Sequence, residues 1–76
     1  MKAGKLPSVR ARRLLRAIIK CGFRITRIDG SYKFLRNTDG RSLLFAFHDR
    51  ETIGPSMLSR ILKDSGISIE ELRKAL

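Results

Sequence analysis

Phe23-Arg24-Ile25-Thr26-Arg27, Tyr32-Lys33-Phe34-Leu35-Arg36 and Ser42-Leu43-Leu44-Phe45-Ala46-Phe47 are three short runs in the middle of the chain, rich in the aromatic and branched residues that suit a pleated surface. Turn chemistry separates them. Asp29-Gly30-Ser31 breaks the first pair, and Asn37-Thr38-Asp39-Gly40 closes the second with a glycine able to take positive φ where a hairpin needs it. The stretch therefore predicts a three-stranded antiparallel meander. Every aromatic residue of the chain falls inside it, which makes the sheet the expected nucleus of the core. In the third run Leu43, Phe45 and Phe47 alternate with Ser42, Leu44 and Ala46, sending one face to the core and leaving Leu44 and Ala46 on the open one. Apolar side chains on an open face favour a protein contact there, although isolated exposed leucines are ordinary.

Working outward, Ser8 reads as an N-cap whose oxygen accepts one of the unpaired amide protons of a first helical turn. Ala11, Leu14, Leu15, Ile18 and Ile19 then draw one apolar stripe, and Arg10, Arg12, Arg13, Arg16 and Lys20 occupy the remaining surface. Gly22 stops this helix, and Phe23 folds back onto Ile18 or Ile19. On the other side, His48 to Gly54 is a polar loop and Pro55 suits a first helical turn, with Met57, Leu58, Ile61 and Leu62 as the buried stripe. Gly66 ends that helix. Ser68 caps a last short one, with Glu70 and Glu71 near its positive end, Arg73 and Lys74 near the other, and Ile67, Ile69 and Leu72 pinning it to the body. The order predicts an α+β fold, α-β-β-β-α, with helices on one face of an antiparallel three-stranded sheet. A single domain over residues 1–76 is expected, with residues 1–7 as a flexible basic arm.

A chain of 76 residues buries only about 60 to 65% of the surface it exposes when unfolded, so its stability is thin and a self-dimer or partner chain is a natural supplement. The single cysteine, Cys21, excludes an internal disulfide and a multi-thiol zinc cluster, and points to a reducing, cytoplasmic setting. No apolar run approaches the roughly 20 residues that cross a bilayer, and the start of the chain lacks a secretory apolar core, so no membrane partner is expected. Charge is the most telling quantity: 17 Lys and Arg against 7 Asp and Glu give +10. Between Met1 and Arg27 there is no acidic residue to pair with the cations. Such a balance attracts polyanions, with nucleic acid first and an acidic protein next.

Taken together, Lys5-Leu6-Pro7, Leu14-Leu15, Gly22-Phe23, Gly30-Ser31, Asp39-Gly40-Arg41, His48, Pro55, Leu58, Ile61-Leu62 and Gly66-Ile67-Ser68 fall in an order and spacing that resembles the HicA family of toxins, over nearly the whole chain. The resemblance implies a fold similar to the double-stranded RNA-binding domain and activity as a ribosome-independent mRNA endonuclease. It also implies silencing by a HicB antitoxin, acidic or sheet-bearing. The family's catalytic residue is a histidine after Gly-Ser at the start of the second strand, where this chain carries Tyr32. A histidine exchanges protons near neutral pH, whereas a phenol ordinarily holds its proton there.

Three readings of Tyr32 stay open: a fold that binds RNA without cutting it, a histidine-free ribonuclease, or an inactivated copy kept for regulation. Cleavage needs an aligned 2′-hydroxyl, a proton acceptor, a donor to the leaving oxygen, and cations for the pentacoordinate phosphate. Tyr32 is the candidate donor or positioning group, with Lys33, Arg36 and Arg41 as candidate charge stabilisers and RNA contacts, joined by Arg12 and Arg16 from the first helix. Tyr32 also suits a plain strand position, stacking on a base or packing on a partner. His48, the only histidine, matches a position that often carries histidine in the resembling family and is the second catalytic candidate, although lone histidines are more often structural. Asp29, Asp39 and Asp49 read as turn formers rather than a metal cluster, Cys21 as a small buried residue, and no cofactor is expected. The alternative from another class is a non-catalytic interaction module that meets an acidic partner through the basic surface and the open sheet face.

Overall fold

The structure, a computed structural model, describes residues 6–76. Of the expected arm, residues 1–5 lie outside the described residues, and Leu6 packs half-buried against the core. The elements follow as β1 (Val9–Arg10), α1 (Ala11–Lys20), β2 (Phe23–Asp29), β3 (Tyr32–Asn37), β4 (Ser42–Phe45), β5 (Thr52–Ile53), α2 (Pro55–Ser65) and α3 (Ile69–Ala75). The meander is present as β2-β3-β4, antiparallel throughout, and is joined by a two-stranded ladder of β1 with β5 that the sequence reading did not contain. The architecture is α+β, as expected.

Leu14 and Ile18 of α1, Phe23, Leu35 and Phe45 of the sheet, Leu58 of α2 and Leu72 of α3 all belong to one buried cluster on the inner face. The α1 stripe is Ala11, Leu14, Ala17 and Ile18, so Ile19, expected inside, is 41% exposed and Ala17 takes its place. Similarly, α2 buries Leu58, Ile61, Leu62 and Ser65 and leaves Met57 outside. Both stripes sit slightly round the helix from where hydropathy alone drew them and take in the small buried side chains Ala17 and Ser65. The third strand ends at Phe45, not Phe47. Phe47 lies half-buried beyond it, its ring 5.1 Å from that of Phe45 in an edge-on contact.

The expected cap at Ser8 is replaced by another device. Arg10 occupies the N-cap position of α1 without capping it, its guanidinium donating instead to the Arg50 carbonyl (3.3 Å), and the first amide protons go to main-chain carbonyls: Ala11 N–H to Glu51 (2.8 Å) and Arg12 N–H to Asp49 (3.2 Å). Pairing of Val9 with Ile53 carries the chain past Ser8 before the helix begins, so the hydroxyl is not where a cap must be. At the far end of α1, Gly22 has φ 104°, and a Cβ there would approach Asn37 Nδ2 to 3.1 Å, so the turn tolerates little but glycine.

Residues Ile25 and Arg27 mark a β-bulge in β2: Ile25 faces Leu35, Arg27 faces Phe34, and Thr26 between them is unpaired, its hydroxyl donating to the Phe34 carbonyl at 3.1 Å. Strict alternation from Phe23 through Ile25 would turn Arg27 toward the helices. The extra residue turns it to the outer face, where its guanidinium stands 5.3 Å from the centre of the Phe34 ring.

Helix α3 begins as the sequence predicts. Glu71 N–H donates to Ser68 Oγ (3.1 Å) and Ser68 N–H donates to Glu71 Oε1 (2.9 Å), a complete capping box. The Ser68 main-chain N–H, and after it the Ser68 side chain, hold the Glu71 carboxyl below the usual glutamate range. With the folded value depressed, the stability this group contributes is complete above the ordinary glutamate pKa and is lost as pH falls through the folded value. Urea denaturation of Glu71→Gln, which keeps an acceptor at the same place, is expected to show a shallower loss of stability on acidification than wild type; parallel acid limbs would show that the carboxylate does not hold the cap.

Candidate functional site

Five cations, Arg10, Arg12, Arg13, Arg16 and Lys20, line an open depression of about 510 Å³ on the outward side of α1, closed at one edge by Ala75 and Leu76. They stand together because positions 10, 12, 13, 16 and 20 are those left over once Ala11, Leu14, Ala17 and Ile18 turn inward. No acidic side chain borders the depression. Arg13 and Lys20 each donate to a carbonyl at the C-terminal end of α3, to Leu76 and Ala75 at 3.3 Å, where the helix dipole is negative. Arg12 and Arg16, both RNA-contact candidates, are exposed here. Two ion pairs lie away from this strip, Arg27 with Asp29 (3.5 Å) and Arg41 with Asp39 (2.8 Å).

Tyr32 opens β3 opposite Asp29, the two being joined by a tight turn at Gly30, and it is 51% exposed on the face of the sheet away from the helices. The last pair between β3 and β4 is Lys33 with Phe45, so Tyr32 and the chain leading to His48 both lie beyond the same end of that ladder. His48 is exposed in a turn fixed by Glu51, whose carboxylate accepts the His48 main-chain N–H at 2.7 Å and whose own N–H donates to the His48 carbonyl at 3.0 Å. Because the carbonyls of Asp49 and Glu51 also receive the first amide protons of α1, this turn is bolted to the start of the basic helix. Tyr32, His48 and the N-terminal half of the cationic strip thus share one end of the molecule.

The meander does not bring Arg36 and Arg41 to Tyr32, as the sequence reading supposed. Arg36 pairs with Ser42 and Arg24 at the other end of β3, on the outer face. Arg41 is a structural clamp. Its guanidinium donates to Asp39 (2.8 Å) and to the Ser65 carbonyl at the end of α2 (2.8 Å), lies 5.5 Å from the centre of the Phe23 ring, and presses on Gly66, where a Cβ would come to 2.6 Å of it. Lys33 is half-buried, flanked across the strands by Ile28 and Phe45. The cation at the Tyr32 end, bound to Asp29, is Arg27, which sequence periodicity gave no site role. Only recognition of the bulge at Thr26 would have found it. Asn37, read as a turn residue, is buried and ties the hairpin to the α1–β2 turn through a bond from its Nδ2 to the Cys21 carbonyl at 3.3 Å. Burial, and next the Glu71 charge, push the Cys21 thiol up against a smaller opposite pull from Arg41, so this cysteine stays a protonated packing residue. Among the described residues no cluster of three or more metal-ligating side chains occurs, and no helix is long and apolar enough to cross a membrane.

These features define a small α+β module, one sheet backed by helices, that shows solvent a cationic strip and an uncovered sheet face. The chain belongs to the HicA toxin family: the model described as the HicA toxin of bacterial toxin-antitoxin matches residues 11–67, from the first residue of α1 to just past the end of α2. No curated protein matches the chain. Membership places it among toxins that operate with an antitoxin.

The clamp and the strip can be separated by experiment. Arg41→Ala removes two charge-assisted hydrogen bonds at a partly exposed site and is expected to lower unfolding stability by about 1–2 kcal/mol in urea denaturation. Its affinity for nucleic acid should stay within a factor of about two of wild type, since the guanidinium is already occupied; a large binding loss with unchanged stability would return Arg41 to the interface.

Proposed function

We propose that this HicA-family chain binds single-stranded RNA through the outward face of α1, and that Tyr32, standing where the family carries its catalytic histidine, leaves mRNA cleavage weak or absent. The observation that carries the reading is the five-cation depression with no acidic side chain at its border. Surface cations on a helix normally alternate with acids that relieve their repulsion, and here the relief is left to a polyanion. Arg12 and Arg16 point to solvent and are the principal phosphate contacts, with Arg10 and Arg13 extending the track toward the His48 turn.

At that end of the molecule the groups for an mRNA endonuclease are incomplete. Tyr32 offers a phenolic O–H as donor and Arg27 a cation, while the neighbouring Asp29 is engaged with Arg27. His48 brings the chain's one imidazole to the same end. The antitoxin this reading expects is HicB-like. A non-catalytic module held by an acidic protein is the second reading, supported by Leu44, which is 51% exposed on the uncovered sheet face.

Two measurements test the proposal. A site neutralising about five phosphates of a single strand gives a log–log slope of binding against salt near −3.5, and Arg12→Ala with Arg16→Ala should reduce its magnitude by about 1.4. A flat salt response would favour the acidic protein partner. In a cleavage assay on a long mRNA, Tyr32→His is expected to cut, while wild type and Tyr32→Phe leave the substrate intact over the same time. Cutting by wild type that is lost in Tyr32→Phe would instead make the phenol a participant, and loss in His48→Ala would add the imidazole.

A further inference from the structure

On the sheet face away from the helices, Arg24 of β2 stands directly opposite Arg36 of β3. Like charges in that relation destabilise a sheet, and neither guanidinium has a hydrogen-bonding or acidic partner among the described residues. The pair borders a depression of about 270 Å³ that also includes Thr38 and the main chain at Gly40. Adjoining it, and sharing Thr26 and Arg36, is a second depression of about 390 Å³ built over Phe34 and Leu44. These two are cross-strand partners, so the half-buried Phe34 ring, with the Arg27 guanidinium 5.3 Å from its centre, and the exposed Leu44 side chain form one shelf. An anion-attracting pinch and an apolar shelf therefore lie side by side, with Tyr32 two residues along the same row as Phe34.

From this juxtaposition we infer that the outer face of the sheet is a second RNA surface, in which Arg24 and Arg36 hold a backbone phosphate and the Phe34–Leu44 shelf carries the neighbouring base. The inference rests on the reading that the chain binds RNA, and it adds a surface on the opposite side of the molecule from the α1 strip. A single strand fits better than a duplex, because only unpaired bases offer a free face to a flat apolar shelf. Paired with the cations of Arg24 and Arg36, a shelf of this kind fits an anionic nucleotide with a base to stack. Phosphate explains the pinch: several acceptor oxygens on one tetrahedral centre let two guanidiniums approach each other without a buried like-charge cost. A strand seated this way runs along β3 toward Tyr32, the position where the family places its chemistry.

The experiment is an NMR titration of isotopically labelled protein with an unstructured single-stranded RNA of about eight nucleotides, paired with anisotropy measurements on variants. Resonances of Phe34 and Leu44 are expected to shift on the outer face. Arg24→Ala and Arg36→Ala should each weaken binding roughly four-fold near 0.15 M salt and reduce the magnitude of the log–log salt slope by about 0.7. Phe34→Leu, which keeps apolar volume but loses the ring, should weaken it roughly five-fold or more with the slope unchanged. Arg24→Gln and Arg36→Gln serve should an alanine variant fail to fold. If Arg12→Ala and Arg16→Ala weaken RNA binding while the outer-face variants bind like wild type, this inference is overturned and the α1 reading stands. If wild type binds no RNA, both fall together; shifts at Phe34 and Leu44 with polyglutamate but not with RNA assign the face to an acidic protein and also overturn it.

Discussion

Burial of one helix layer against one face of a three-stranded sheet is the constraint from which the rest of the molecule follows. Leu14 and Ile18, Phe23, Leu35 and Phe45, Leu58 and Leu72 meet in a single cluster, and the chain has no second set of apolar residues with which to cover the other side of the sheet. Charge must then lie on the outward side of the helices and on the outer face of the sheet. The same constraint that limits the core to one interface produces two separate cationic surfaces on a protein of this size.

The two ends of the sheet are held differently. At the hairpin end, Asn37 reaches the Cys21 carbonyl and Arg41 reaches Asp39 and Ser65, so polar side chains lock the β3–β4 turn to the end of α1 and the end of α2. At the other end the locking groups are mostly main-chain: α1 takes the carbonyls of Asp49 and Glu51, and the β1–β5 ladder joins the same segments. Two side chains help, the Glu51 carboxylate at the His48 turn and Arg10 on the Arg50 carbonyl. The side chains of Tyr32, His48 and Arg12 are presented from that frame without forming part of it, an arrangement suited to chemistry or recognition.

What was legible in the sequence was what short-range chemistry decides. The turns at Gly30 and Gly40, the αL residue Gly66, the Pro55 start and the Ser68–Glu71 box each need only a few adjacent residues, and each is present. The ordered pieces that resemble the HicA family lie largely within the span that its model matches. Features that depend on distant partners were not legible. Ser8 is a good cap by type, but the pairing of Val9 with Ile53 displaces the helix start. Arg41 looks like any loop arginine until α2 places the Ser65 carbonyl beside it. Arg27 was missed because one unpaired residue, Thr26, reverses the parity that strand periodicity assumes, and nothing local distinguishes Thr26 from a regular strand residue.

That same irregularity bears on how the molecules behave at high concentration. β2 lies at the border of the sheet, with a row of main-chain groups that another chain would otherwise extend. The kink at Thr26 breaks the flatness such growth requires, and the flanking Arg24 and Arg27 set positive charge against an identical strand approaching it. The opposite border, β4, is only four residues long. A small toxin-family protein with an uncovered sheet is in this way protected from fibrous self-association by the residue that breaks its strand pattern.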